Sequence, residues 1–399
     1  MTRLLPNLAT VAIAALPFVF SAAFSLAGEP PSLKFAKQFL MLSPNEGCAI
    51  ADVDKDGDAD VIAGTHWFAG PDFVPRPLRD IAEVHDVYYS SNGDYPYDVD
   101  GDGWIDVISI GWFDPELCWY RNPGKDDLDR GKKWERRVLK ETRGQNEALA
   151  LHDLDGDGVP EIFVNSWDKK GPVVAWKLAK DQDGNPTVEQ IVLGEEGNGH
   201  GFAFGDINGD GREDLLCEAG WYERPESDPL AKPWKLHKEG ALPHPSCPCI
   251  ITDLNGDDRN DIIWGKAHDF GLYWWEQGEP KDDGTTTWTE HLIDDSWSQP
   301  HCLVWADLTG DGKPELITGK RVRAHCGNDP GGKDPAVLFY YTWNREAGEF
   351  CQHAIGAPGD GIGSGMQIRV GDLNADGRPD VAVGGKTGTW VMINEGTKE

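Results

Sequence analysis

Among 399 residues, 68 are Asp or Glu and 37 are Lys or Arg, giving a formal net charge of -31. So acidic a chain repels a polyanion, which excludes nucleic acid as a partner. Its eight cysteines are spread too thinly for the disulfide framework of a small secreted domain.

The N-terminus reads as an export signal. Arg3 opens it, residues 8–23 are apolar, and Ser25 and Ala27 put small residues before a cleavage point. Pro17 interrupts the apolar span, which argues against a retained anchor, and no other stretch could cross a bilayer. The expected layout is a signal peptide over 1–27 and a mature chain over 28–399, secreted or periplasmic, with no membrane span after processing.

One nine-residue loop organises the mature chain and recurs seven times. The copies lie 46 to 65 residues apart, the period of a propeller blade or a solenoid unit. Oxygen side chains fall at positions 1, 3, 5 and 9. In order they are Asp52, Asp54, Asp56 and Asp60; Asp98, Asp100, Asp102 and Asp106; Asp153, Asp155, Asp157 and Glu161; Asp206, Asn208, Asp210 and Asp214; Asp253, Asn255, Asp257 and Asp261; Asp307, Thr309, Asp311 and Glu315; Asp372, Asn374, Asp376 and Asp380. These positions hold 24 carboxylates, which accounts for much of the acidity. Alternate residues turned inward around a tight Gly turn make an oxygen cage for a hard cation such as calcium. An EF-hand would need Glu at position 12 between helices. Here position 12 is Ala63, Ser109, Val164, Cys217, Trp264, Thr318 or Val383, inside short apolar runs, so each loop joins two strands. Asp-rich turns also form for conformational reasons alone, but seven copies in one register favour the cage. Thr309 at position 3 and Asp258 at a Gly position mark the two sites expected to be weakest.

A strand of alternating large and small residues precedes each loop, as in 147–152, 200–205 and 301–306, and a second follows it, as in 60–63 and 315–318. Aromatic third strands follow at 117–120, 271–275, 337–341 and 389–393, and fourth strands at 134–138, 288–293 and 350–355. Four strands per repeat predict an all-β, seven-bladed propeller with calcium-binding loops between strands 1 and 2. The last copy lacks a fourth strand, which 33–40 would supply, closing the ring and covering an edge. Residues 71–91 fit least well, and a Gly- and Asp-rich insertion over 321–335 interrupts the sixth blade.

The loop pattern resembles the FG-GAP/VCBS repeat found in the α-chain propeller of integrins and in many secreted bacterial proteins. The resemblance covers nearly the whole mature chain. It implies a calcium-bearing propeller and, from the integrins, a non-enzymatic adhesion or scaffold role with another extracellular protein as partner.

The end of the blades away from the loops is the place for chemistry. Six residues before each loop stand Glu46, Asn92, Glu147, His200, Cys247, His301 and Met366. Equivalent positions in a closed ring all approach the axis. Glu46, Glu147, His200 and His301 are therefore candidate ligands for zinc or another divalent metal. Around them follow Trp67, Trp112, Trp167, Trp221, Lys266, Arg321 and His325 as candidate groups for a small polar or carbohydrate ligand. His268 is the candidate base, with His301 and Lys320 as further catalytic candidates. A solvated rim with tryptophans capping the blades is the plainer reading. The polar funnel around His200, Lys266, His268, His301, Lys320, Arg321, Arg323 and His325 is also similar to the propeller portion of aldos-2-ulose dehydratase. That family eliminates water from keto sugars beside a metal and a histidine, which would make the chain a carbon–oxygen lyase. The cupin and lectin parts of that enzyme have no counterpart here.

Overall fold

A computed structural model describes residues 32–85 and 88–397. The expected signal peptide lies outside the described residues. Within them the chain forms seven four-stranded antiparallel sheets and one small extra hairpin, Glu83–Val84 with Tyr88–Tyr89. Six sheets run in simple chain order, so that each repeat is one meander. Blade 3, for example, is Asn146–His152, Glu161–Ser166, Val173–Lys180 and Pro186–Gly194. The seventh sheet takes Ile368–Gly371, Asp380–Gly385 and Gly388–Thr397 from one end of the chain and Leu33–Met41 from the other. Their register places Lys37 opposite Met392 and Phe39 opposite Trp390.

Burial follows each strand's place in its blade. Every residue of Glu161–Ser166 is buried, because a second strand has a neighbouring blade on each face. The outer strand Glu135–Glu141 is mostly exposed, with Leu139 its one buried residue. Seven apolar clusters lie among the described residues, and each joins two adjacent blades, the one between blades 3 and 4 also reaching Cys247 and Met366 at the axis. Phe163 of blade 3 packs with Phe202 and Leu215 of blade 4, and Val61 and Phe68 of blade 1 pack with Ala382 and Val391 of blade 7. No blade has a core of its own, so each is stable only between neighbours.

The seven loops connect first to second strands, as the spacing predicts. Their ninth-position carboxylate is buried in every copy and binds backbone. Asp106 accepts the N–H of Val99 (3.0 Å) and of Asn122 (2.7 Å), tying the loop to the end of the third strand. Asp60, Asp214, Asp261 and Asp380 do the same in their blades. This residue therefore has a structural task that needs no cation. Asp258 adopts the left-handed conformation (φ 67°) that Gly57 and Gly103 take in equivalent loops.

Candidate metal centre

First strands begin, and second strands end, at the pole away from the loops. All seven ring residues, from Glu46 to Met366, are buried there. Blades 3, 4 and 6 project Glu147, His200 and His301 inward, and the segment after the second strand of blade 5 adds His268. One ligating atom from each of these four lies within 4.8 Å of all the others. His200 Nε2 is 3.0 Å from His301 Nε2 and 3.1 Å from His268 Nε2, and His301 Nε2 is 3.1 Å from Glu147 Oε1.

The partners of these rings fix their tautomers. His200 Nδ1 lies 2.8 Å from the Pro245 carbonyl, which only accepts, so that nitrogen donates. His268 Nδ1 lies 3.1 Å from the Asp329 carboxylate and donates likewise. Arg321 Nη1, which only donates, lies 2.8 Å from His301 Nε2. With the rings neutral, all three Nε2 atoms carry lone pairs, and all three contacts within the cluster set lone pair against lone pair. A cation removes that conflict. Four ligands at a metal–nitrogen distance of about 2.0–2.1 Å around a tetrahedral ion stand roughly 3.3 Å apart, close to the separations found. Carboxylate or carbonyl partners behind ligating imidazoles are the usual supporting contacts of such sites.

The protonation states agree. Burial pushes the His268 imidazole down to about 4, and it drives His301 well below its usual value, with Arg321 adding to it. Burial alone would raise Glu147, but the Arg321 guanidinium leads the effects that override it and hold the carboxyl well below its usual range. Neutral imidazoles and an ionised carboxylate are the forms that bind metal. Trp167 Nε1 donates to Glu147 Oε2 (2.9 Å), leaving Oε1 for the cluster.

Several predicted site residues change place. Glu46 is not in the ligand group. It accepts from Arg321 Nε (2.8 Å) and Nη2 (3.2 Å) and pairs with Lys386 Nζ (2.8 Å). Those two cations override the opposing effect of burial and hold Glu46 at about 2. His268, the candidate base, joins the cluster through Nε2, which lies 3.1 Å from His200 Nε2. Lys320 is buried with Nζ on Ser298 Oγ (2.6 Å) and the Gly331 carbonyl (2.7 Å), which makes it a tie for the insertion loop. Trp67 and Trp221 are each 2% exposed inside blade cores and offer no face to a ligand. Lys266 lies over the Tyr273 ring. Trp112, Trp167 and His325 do border the cluster. Trp167 is 5.4 Å from Trp112 and 5.2 Å from His200 between ring centres, and His325 stacks on His268 at 4.6 Å.

Other contributors carry no motif. Asp329, in the insertion, holds both His268 Nδ1 and His325 Nδ1 (2.8 Å). Three residues of that loop, Arg323, His325 and Cys326, have left-handed φ values of 56°, 45° and 59°, a local strain that surrounding contacts must hold. Tyr88, from the extra hairpin, supplies two of those contacts. Its hydroxyl donates to the Arg323 carbonyl and accepts the Cys326 N–H. Glu218 accepts the His200 N–H and pairs with Lys169, on the wall of a cleft of about 360 Å³. The composition of strand 1 points to the ring residues; nothing in the sequence points to these partners.

At the opposite pole, carboxylates of the first three loops also come within ligand distance of one another. In blades 2 and 3 a cation from the third strand already sits among them. Arg121 donates to Asp100 and Asp102 (2.6 Å each), and Lys177 to Asp155 (2.6 Å) and Asp157 (2.7 Å). The equivalent residue in blade 1 is Ala69, and there Asp52 Oδ1 and Asp54 Oδ1 are buried with no hydrogen-bond partner.

The fold and site define a seven-bladed β-propeller with a buried histidine–carboxylate cluster on its axis. The chain carries FG-GAP-like repeats: the model of the FG-GAP-like repeat matches residues 98–164, 153–217 and 253–318. Each of these segments runs from one loop copy through the apolar strand that follows a loop. No match was found among curated proteins. Two solved structures are similar to the chain. One is of an Agrocybe aegerita lectin, described as specifically recognising non-reducing terminal N-acetylglucosamine. It is 18% identical, with 88% of this chain and 86% of that chain covered and a TM-score of 0.47. The other is Saccharomyces cerevisiae Sqt1, 11% identical, with 92% and 99% covered and a TM-score of 0.44.

Proposed function

We propose that Glu147, His200, His268 and His301 hold a divalent transition metal, zinc or a similar ion, and that the propeller uses this centre to bind and transform a sugar. The observation that carries the reading is the convergence of three Nε2 lone pairs and one carboxylate oxygen, with His200, His268 and Glu147 held from behind by Pro245, Asp329 and Trp167. A centre of this kind supplies Lewis acidity toward a sugar carbonyl or hydroxyl oxygen, as a carbon–oxygen lyase acting on keto sugars requires. Burial of Glu147, His200 and His301 excludes water from three sides. Access is past His268 and the half-exposed His325. His325, with Nδ1 on Asp329, has Nε2 directed away from the carboxylate and is the group placed to take a proton from a bound sugar. The buried cluster favours this reading over an adhesion scaffold, whose contact face has no need of converging imidazoles.

Metal analysis of the purified protein, with anomalous diffraction at the metal edge, tests it. One equivalent of transition metal on the axis is expected. His301→Ala should lose the metal and any water elimination from keto sugars. Loss of neither would return the protein to the scaffold class.

In the same reading calcium occupies loops with open carboxylates, and the leader exports the chain. N-terminal sequencing of exported protein should begin near Gly28; an intact Met1 in the membrane fraction would make the segment an anchor.

A further inference from the structure

We propose that the ligand of the axial centre is an acidic saccharide, a hexuronate-type sugar, and that Arg321 Nη1 is the clamp for its carboxylate. The inference rests on the metal reading above. It starts from a conflict in the structure. Arg321 Nη1 donates to His301 Nε2 (2.8 Å) and to Glu147 Oε1 (3.0 Å). Those are two of the acceptor atoms that a metal would take. The guanidinium cannot leave as a whole, because Glu46 grips its Nε and Nη2 edge and Lys386 in turn braces Glu46. Once the metal takes the single lone pair of His301 Nε2, Nη1 keeps its position beside the centre and loses one of its two acceptors. A buried guanidinium N–H without an acceptor is costly, and a charged oxygen on the metal is the acceptor that fits.

Charge points the same way. Glu46 and Glu147 balance Arg321 and Lys386 in a region where all four are buried or nearly so. Neutral imidazoles add nothing. A divalent ion therefore leaves the axis positive, and Asp329 behind His268 returns only one charge. In low dielectric such an excess selects an anionic ligand over a neutral one. With the ion bound this pole would be cationic within a protein of net charge -31, so the selectivity is local. Trp167 beside the cluster gives a sugar ring an apolar face.

Cobalt-loaded protein provides the test, since its visible spectrum reports coordination directly. Sodium glucuronate, glucose and inorganic phosphate would each be titrated against the cobalt bands. Glucuronate should bind with a dissociation constant at least about tenfold lower than glucose. Arg321→Met should keep cobalt and lose that advantage, and Arg321→Lys, which keeps the charge without the fork, should restore part of it. Equal binding of glucuronate and glucose, or undiminished preference in Arg321→Met, would overturn the clamp. Phosphate binding as tightly as glucuronate would overturn the saccharide assignment. If Arg321→Met does not fold, the wild-type and Arg321→Lys titrations still decide. Failure of the wild type to take up cobalt appears before any sugar is added, and it is failure of the metal reading itself.

Discussion

The two poles of the propeller both gather potential metal ligands, and they do so by opposite means. At the loop pole the same few residues repeat seven times, near the surface apart from the buried ninth position, with side-chain oxygens turned to their own loop's backbone N–H groups; Asp98, for example, accepts from Gly101 and Gly103. At the axial pole the ring position varies from blade to blade. Glu147, His200, His268 and His301 each come from a different blade, and the outer atoms of His200, His268 and Glu147 are bound by a carbonyl, a carboxylate and an indole in turn. Repetition gives many shallow acidic loops that tolerate variation, down to an arginine or lysine among the carboxylates. Divergence at one ring position gives a single deep site in which each residue has its own task.

The largest expected effect separates fold from site. Thermal melts in excess chelator and in millimolar calcium should differ by roughly 5 °C or more, since each occupied loop contributes about 2.7 kcal/mol at a hundredfold excess over its dissociation constant. An unchanged midpoint would mean the loops are only turns. A smaller effect should fall on the axis alone. Trp167→Phe keeps the ring but removes the donor on Glu147 Oε2, and Asp329→Asn weakens the support behind His268. Each should lower transition-metal affinity about 10–100-fold and leave the melting midpoint in calcium within a few degrees. A midpoint that falls while the metal affinity holds would make them packing residues. The smallest effect sharpens the difference among the loops. Asp100→Ala should cost about 0.2–1 kcal/mol with or without calcium, because it breaks a partly exposed ion pair. Asp54→Ala should cost stability only when calcium is present. Calorimetric stoichiometry should rise by one in Arg121→Met and again in Lys177→Met; no rise in either would show that those side chains do not stand in for the ion.

Much of this was legible in the sequence because period and polarity carry it. The seven loop copies give the blade count, and counting back six residues reaches the axial ring, including Glu147, His200 and His301. What was not legible depends on contacts between distant segments. Glu46 has the same ring position as Glu147 and was expected beside it, but Arg321, 275 residues away, captures it. Lys320 looks like its catalytic neighbours in sequence, yet strand alternation turns it from the axis toward Ser298 and Gly331. Tyr88 lies in the least regular stretch of the first repeat and still anchors the insertion of the sixth. Trp67 and Trp221 share the position of Trp112 and Trp167 after the second strand, but in their blades it begins the third strand and faces the core.

The distribution of the axial residues also bears on the order of assembly. Within a blade, hairpins join neighbours in sequence, whereas Glu147 and His301 lie 154 residues apart and His200 and His301 lie 101 apart. Contacts of that span close large loops and form late. The histidine–carboxylate group is therefore absent until blades 3 through 6 have docked, and on the proposed function metal capture would mark the finished molecule: a chain halted with one blade misplaced would present single histidines, hold no ion, and be distinguishable by that alone from its correctly folded neighbour.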